Sequence, residues 1–297
     1  MRSPSSPTAG RDLRAGVVFV FPCLALLAVF SYWPVVRSAW LSVHGSDLVG
    51  NATGFLGLSN YADLLTDPDL RSVLLTTLTI AALVVVMATG GALLAALPLR
   101  RASQRGGRVV TVLLSLPFAY SAAAASAAFA GLLAPSVGQL NALLADLGVT
   151  GPPWLESQGW AVLSIAVTTA WYEFGFAFLV VLAALSRVDR SVLEAASLDG
   201  AGEWRSAWSI VVPAIRPSLL FLVVTQTIAG LQVFTQVQVL TRGGPSGATT
   251  TLVYELYQRA FGTGLPQYGQ ASTIALTLLL LVVLVTAVQM RLTRDRA

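Results

Sequence analysis

Lysine is absent from this 297-residue chain, and histidine and cysteine occur once each, as His44 and Cys23. Without lysine there is no P-loop and no pyridoxal-phosphate Schiff base. One His and one Cys cannot assemble a zinc site of several such ligands, and a single thiol cannot close an intrachain disulfide. Charge is scarce as well. Asp, Glu, Lys and Arg together make 11% of the chain, where a soluble domain has roughly 25%. No catalytic residue, metal centre or cofactor is therefore expected. What fills the chain instead is apolar: 55% hydrophobic, and about 63% once the 25 glycines are added, against roughly 45–50% in soluble domains. A chain with so little polar surface needs a lipid bilayer as part of its solvent.

The net charge of +4 does not point to nucleic acid, because the 18 arginines fall in short clusters between apolar runs and not along one face. Six runs reach the roughly 20 residues that cross a bilayer. They are Ala15–Val36, Val73–Leu99, Val109–Leu133, Trp160–Leu185, Pro217–Thr241 and Gln270–Met290. The expected fold is an all-α polytopic membrane protein with six transmembrane helices. Residues 1–14, rich in Ser and Pro at their start, are expected to be a disordered cytoplasmic tail, and residues 15–297 one transmembrane domain. Arginine placement sets the orientation. Fourteen lie on one side: Arg2, Arg11 and Arg14 in the tail; Arg100, Arg101, Arg105 and Arg108 after the second span; Arg187, Arg190, Arg205 and Arg216 after the fourth; Arg291, Arg294 and Arg296 at the end. The other side has only Arg71, Arg242 and Arg259, with Arg37 at the outer end of the first span. Both termini are thus expected in the cytoplasm, as for a multi-pass protein of the bacterial inner membrane. Trp33, Trp40, Trp154 and Trp160 then fall near the outer interface, where indoles collect.

The connection between the fourth and fifth spans, residues 186–215, is long for a membrane turn and has strong local signals. Asp189 suits the cap of a short helix, Ala195 and Ala196 give that helix a smooth face, and Asp199-Gly200 ends it, since glycine takes the left-handed conformation cheaply. A second short helix carries Trp204 and Trp208 four residues apart on one face and ends near Pro213. The pattern predicts a helix–turn–helix elbow on the cytoplasmic surface, offering a compact knob to another protein.

Glu194-Ala195-Ala196, followed at set spacings by Gly200, Ile210 and Val212-Pro213, resembles the EAA signature of ABC importer permeases, which usually has Leu where Val212 stands. Further stretches resemble the sugar-importer branch of that family. These are Phe55 to Tyr61, Gly138 to Asn141 with Asp146 to Gly148, Thr241 to Pro245, and Tyr268 to Ser272. The start, from Phe21-Pro22 through Tyr32-Trp33-Pro34, is similar to the first permease subunit of maltose and glycerol-phosphate importers. The resemblance implies a permease that moves a sugar or related polyol by alternating access. Its partners would be a second permease subunit, two cytoplasmic ATPases and an extracytoplasmic binding protein. It further implies that Glu194 pairs with an ATPase arginine, that Ala195 and Ala196 pack in the ATPase groove, and that Asp199, Gly200 and Pro213 shape the knob. The missing P-loop lysine agrees with this: the motor would be another chain.

A solute pathway is read from polar groups inside the spans. Glu173 stands near the middle of the fourth, where an ionised carboxylate costs about 2.5–3.5 kcal/mol on insertion scales. It either accepts hydrogen bonds from solute hydroxyls, makes a structural pair with the partner permease, or is protonated and packs between helices. Thr225, Ala229, Gln232 and Gln236 are spaced to share one face of a continuous fifth helix, lining the pathway or bonding between helices. The family often has an acidic residue where Thr235 stands. Trp171 either stacks on a sugar ring or packs. Thr273 and Thr277 are expected to bond their own helix backbone. The alternative function, an ion-coupled secondary transporter, would want inverted repeats and paired intramembrane charges, and neither is visible.

Overall fold

The computed structural model describes residues 9–99 and 104–294. Four helices are long and apolar enough to cross a membrane: Val18–Ser42, Pro68–Leu99, Gln158–Leu185 and Tyr268–Arg291. Two bent pairs, Gly106–Ala119 with Ala122–Leu132 and Glu203–Ala214 with Arg216–Leu231, are long and apolar enough only when each pair is taken together, and bring the candidate spans to six. In chain order these are spans one to six. A two-stranded antiparallel hairpin, His44–Ser46 with Ala52–Phe55, is the only sheet among the described residues. The first helix begins at Ala9, so residues 9–14 are helical where a disordered tail is expected; residues 1–8 lie outside the described residues.

Span one passes through a π-helical turn at Ala28–Tyr32, just before Pro34. Proline lacks the N–H that an α-helix would use there, and a wider turn accommodates the loss. Only its C-terminal end, at Leu41 and Ser42, is buried, against span six. Span two opens on an Asp67 cap that accepts from the Asp69 N–H at 2.9 Å, with Pro68 in the first turn. It passes through a second π-helical segment, Val85–Gly90, which packs against both the fourth and fifth spans.

The third and fifth spans correct the sequence-based boundaries. The continuous helix expected over Val109–Leu133 is broken by a 3-10 turn at Leu116–Ala119, and the chain turns through 100° before Ala122. Pro117 starts that turn, and Ser121 caps the next helix by accepting from the Ala124 N–H at 3.1 Å. Gly175 of span four makes room for it: a Cβ there would lie 2.6 Å from the Phe118 nitrogen. The fifth helix, expected to run to Thr241, ends at Leu231; Gln232–Phe234 is irregular, and a short helix, Thr235–Leu240, follows. The carbonyl of Val233, freed by the break, accepts from Thr251 Oγ1 at 2.8 Å. A buried carbonyl is thus satisfied from a later loop and not by helix continuation.

Packing is closest where residues are small. A Cβ on Gly230 of span five would meet Ala81 Cα of span two at 2.5 Å. One apolar core, around Ala92, Phe178, Val181 and Leu222, ties spans two, four and five. A second, around Val73, Leu231, Leu252 and Ile274, ties spans two, five and six to the helix Leu252–Phe261. At the C-terminal end of span one His44 is a structural residue: its ring stacks on Trp40 at 4.2 Å and its Nδ1 lies 2.8 Å from the Trp40 carbonyl. Arg259 clamps the helix Leu252–Phe261 to the starts of spans two and six by donating to Glu255 (2.7 Å), Gln270 (2.6 Å) and Asp67 (3.3 Å). Thr273 and Thr277 donate to the carbonyls of Gly269 and Thr273 on their own helix, as expected from sequence.

Candidate functional site

Two polar constellations stand out, one on the surface and one inside the spans. The surface one is the elbow between spans four and five. Asp189, extended at φ −63° and ψ 126°, accepts from the Ser191 N–H at 2.9 Å and caps the helix Arg190–Leu198. Those hydrogen bonds hold its carboxyl below the ordinary aspartate range. The helix ends in a Schellman arrangement. The Ala201 N–H donates to the Ala196 carbonyl at 2.9 Å, the Gly200 N–H donates to the Ser197 carbonyl at 3.2 Å, and Gly200 takes φ +77°. Gly202 starts the second helix, on which Trp204 and Trp208 meet edge to face at 5.5 Å. That helix passes through a π-helical turn at Ala207–Val211 and ends after Pro213.

Burial divides the elbow into an anchor and a free face. Val211 and Ile215 are buried in the core that ties spans two, four and five, and Leu193 packs against it. Glu194, Ala195, Asp199, Gly200 and Pro213 are exposed, whereas Ala196 is half-buried and its carbonyl closes the turn. Leu198 is 88% exposed and Trp204 69%. The sequence reading missed Leu198, although an apolar residue just before Asp199-Gly200 on the open side of the turn is visible in the sequence. A cleft of about 360 Å³ separates the elbow from the inner end of span two, lined by Leu94, Leu97, Pro98, Leu193 and Trp204 among others.

The inner constellation lies midway along span four. Glu173 is half-buried and faces Gln226 of span five. Gln226 is fully buried, and neither its amide nitrogen nor its amide oxygen makes a hydrogen bond of good geometry, so the two side chains are neighbours and not a closed pair. Thr89, in the π-helical segment that packs against both spans, has an unpartnered buried hydroxyl as well. Unpartnered polar groups in a helical interior are costly and uncommon.

The other pathway residues read from sequence are not gathered there. Thr225 donates its hydroxyl to the carbonyls of Phe221 and Leu222 in its own helix, at 3.0 and 3.1 Å. Gln232 lies past the helix end and is exposed, and Gln236 is buried on the separate helix Thr235–Leu240. The single shared face is therefore absent because the helix on which it depends stops at Leu231. Trp171 lies two residues before Glu173, about 200° around the helix, and contacts Tyr120 and Phe129 at 5.8 and 5.5 Å. It lines a different cavity, of about 510 Å³, at the bend of span three with Met87, Leu113, Pro117 and Phe174. Gln226, the residue that does meet Glu173, is visible as a polar residue inside an apolar run, but the sequence reading passed over it.

Four membrane-length helices, two bent helix pairs of comparable apolar length and an exposed two-helix elbow fit a multi-pass membrane protein that offers a knob to another protein. Comparison with known proteins makes this specific. Residues 87–296 match the family described as binding-protein-dependent transport system inner membrane component. The sn-glycerol-3-phosphate transport system permease protein UgpA of Yersinia pseudotuberculosis is 35% identical over 278 residues, covering 92% of each chain. The protein of that name from Agrobacterium fabrum is 31% identical over 280 residues, covering 94% of each. Two solved structures share the fold at 20% identity. One is a bacterial ABC transporter involved in the import of the acidic polysaccharide alginate, with a TM-score of 0.82 over 96% of each chain. The other is a bacterial alginate ABC transporter in complex with an alginate pentasaccharide-bound periplasmic protein, with a TM-score of 0.84 over 97% of this chain and 98% of that one. The chain belongs to the binding-protein-dependent transport system inner membrane component family. It is a permease subunit of an ABC importer and not an enzyme; ATP hydrolysis belongs to partner subunits. Nothing supports the ion-coupled alternative.

Proposed function

We propose that this chain, through residues 15–297, forms one half of a translocation pathway for a sugar or related polyol. A second, non-identical permease subunit supplies the other half. Two cytoplasmic ATPases drive the pair, and an extracytoplasmic binding protein delivers the solute. Both termini face the cytoplasm, in keeping with the fourteen arginines on that side against three on the other. The relatives' names give hydroxylated solutes that are also anions, sn-glycerol 3-phosphate in the sequence relatives and the acidic polysaccharide alginate in the solved importers; the hydroxylated character alone is carried over to this chain.

The observation that carries the coupling role is the elbow's free face. Glu194 and Ala195 are exposed on a helix whose two ends are fixed by the Asp189 cap and the Gly200 turn. An ATPase groove receives this knob: Glu194 pairs with a cation of the ATPase, Ala195 and Ala196 allow close approach, and Leu198 adds apolar contact. Asp199, Gly200 and Pro213 set the knob's shape. Closure of the ATPases pushes the two elbows and rocks the spans between inward-facing and outward-facing arrangements. Glu173 and Gln226 contact the solute on its way; Trp171, Thr225, Gln232 and Gln236 line or support the surrounding walls. The test is Glu194→Lys in the complete importer, which should assemble in the membrane yet lose solute-driven ATP hydrolysis. Wild-type coupling in that variant would sink the docking role.

A further inference from the structure

We propose that Glu173 and Gln226 act as a charge filter that admits uncharged or cationic hydroxylated solutes and refuses anions. The inference rests on the reading of this pair as part of the solute pathway, and it goes further by fixing the cargo's charge.

The first ground is the distribution of cations. The chain has no lysine. Among the described residues the arginines of the spans stand at their ends: Arg37 in the last turns of span one, Arg71 in the first turn of span two, Arg108 in the first turn of span three, Arg205 at the start of span five and Arg216 where it resumes after its bend, Arg291 at the end of span six. The single imidazole, His44, is stacked on Trp40 at the C-terminal end of span one. Among the described residues, therefore, no cation stands at the level of Glu173, midway along its span. A carboxylate or phosphate on the solute would meet a like charge in a region of low dielectric, where repulsion is poorly screened. The usual hosts of such anions are the forked donors of arginine or the ammonium of lysine, and this chain offers neither there.

The second ground is Gln226. It is fully buried, beside Glu173, and both of its amide atoms lack partners. An amide donates and accepts, as a hydroxyl does, whereas an ionised carboxylate only accepts. Together the two side chains present one donor site among several acceptor sites. That set complements a solute rich in O–H or N–H donors and is mismatched to an oxyanion, which brings acceptors alone. The unpartnered hydroxyl of Thr89, on the segment packed against both helices, is a further neutral group of the same kind.

The experiment compares three rings of one shape and three charges: glucose, glucosamine and glucuronate. Their binding is measured by saturation-transfer NMR on the assembled permease–ATPase complex in nanodiscs, with the binding protein omitted so that its own selectivity does not enter. The expected result is glucuronate at least tenfold weaker than glucose, with glucosamine equal to glucose or tighter. Glu173→Gln, which keeps shape and removes charge, should bring the three within about threefold. Glucuronate binding as tightly as glucose in the wild type would overturn the filter while leaving the pathway reading standing. A complex that binds none of the rings, or one in which Glu173→Gln and Gln226→Leu leave all three affinities unchanged, would remove the pair from the pathway altogether.

Discussion

Gly200 offers a test of whether the elbow works through its backbone shape. Its φ of +77° lies in the left-handed region, and a Cβ built there meets no heavy atom within 4 Å. Substitution therefore costs nothing in steric overlap within this chain, and the whole penalty is conformational. An L-residue held left-handed costs about 1–2 kcal/mol, with asparagine the best tolerated after glycine. About 1 kcal/mol is a factor of about five in an equilibrium, and about 2 kcal/mol a factor of about 30. The local competitor is a helix that continues past Leu198 and breaks the Ala201-to-Ala196 and Gly200-to-Ser197 bonds, so that the knob loses its turn.

The assay is ATP hydrolysed per solute taken up by the complete importer in proteoliposomes. Gly200→Asn should stay close to wild type, Gly200→Ala should lose about fivefold in coupling, and the β-branched Gly200→Val about 30-fold. The order matters more than the sizes, because asparagine is larger than alanine. If alanine is milder than asparagine, the position responds to side-chain bulk pressing on the ATPase and not to backbone conformation. That result would refute the reasoning.

Thr251→Val tests the break in span five: it removes the donor to the Val233 carbonyl at 2.8 Å, leaving a buried acceptor unsatisfied at about 1–3 kcal/mol. The variant should unfold at lower temperature than wild type in detergent, and Thr251→Ser should restore most of the loss; equal melting of all three would mean the carbonyl has another partner. Asp189→Ala should speed amide exchange at Ser191 without altering the spans. Since hydrogen bonding lowers the Asp189 pKa in the folded elbow, its cap contribution is present above the ordinary aspartate range and is lost as pH falls through the lowered value. Exchange at Ser191 that does not accelerate in the variant at neutral pH would show the cap to be idle.

The elbow was legible in the sequence because its determinants are local. Asp189 caps the residue two positions on, Gly200 ends a helix begun ten residues earlier, and Trp204 meets Trp208 one turn away. The breaks inside the spans were not legible, because they are completed by distant residues. Pro117 marks a bend in the sequence, but the turn closes against Gly175, whose missing side chain makes room for the Phe118 backbone. Span five stops where Thr251, 18 residues later, supplies the hydrogen bond that helix continuation would have supplied. Helical periodicity, carried through that break, grouped Thr225 with Gln232 and Gln236 and passed over Gln226. A period assigns a face only while the helix lasts, and in an interior without water any loop that offers a donor can end it.

The elbow and the inner pair are joined by the two helices that carry them. Span four runs unbroken from Glu173 to Leu185 and enters the elbow within a few residues; Asp189 then caps the next helix. Span five leaves the elbow through a 72° bend between Ala214 and Arg216 and reaches Gln226 in one continuous helix. At 1.5 Å per residue, Glu173 stands about 20 Å from the elbow and Gln226 about 15 Å from the bend. Gly175 does not loosen the first of these arms, because it is wedged against Phe118. Gly230, beyond Gln226, holds the second arm against Ala81 of span two. If the elbow is the point where the ATPases push, its displacement arrives at the inner pair along both arms at once. A change in their mutual angle then alters the separation of Glu173 and Gln226 directly. The open geometry between these two side chains, neighbours without a good hydrogen bond, is the arrangement that such a change can close on a solute or release.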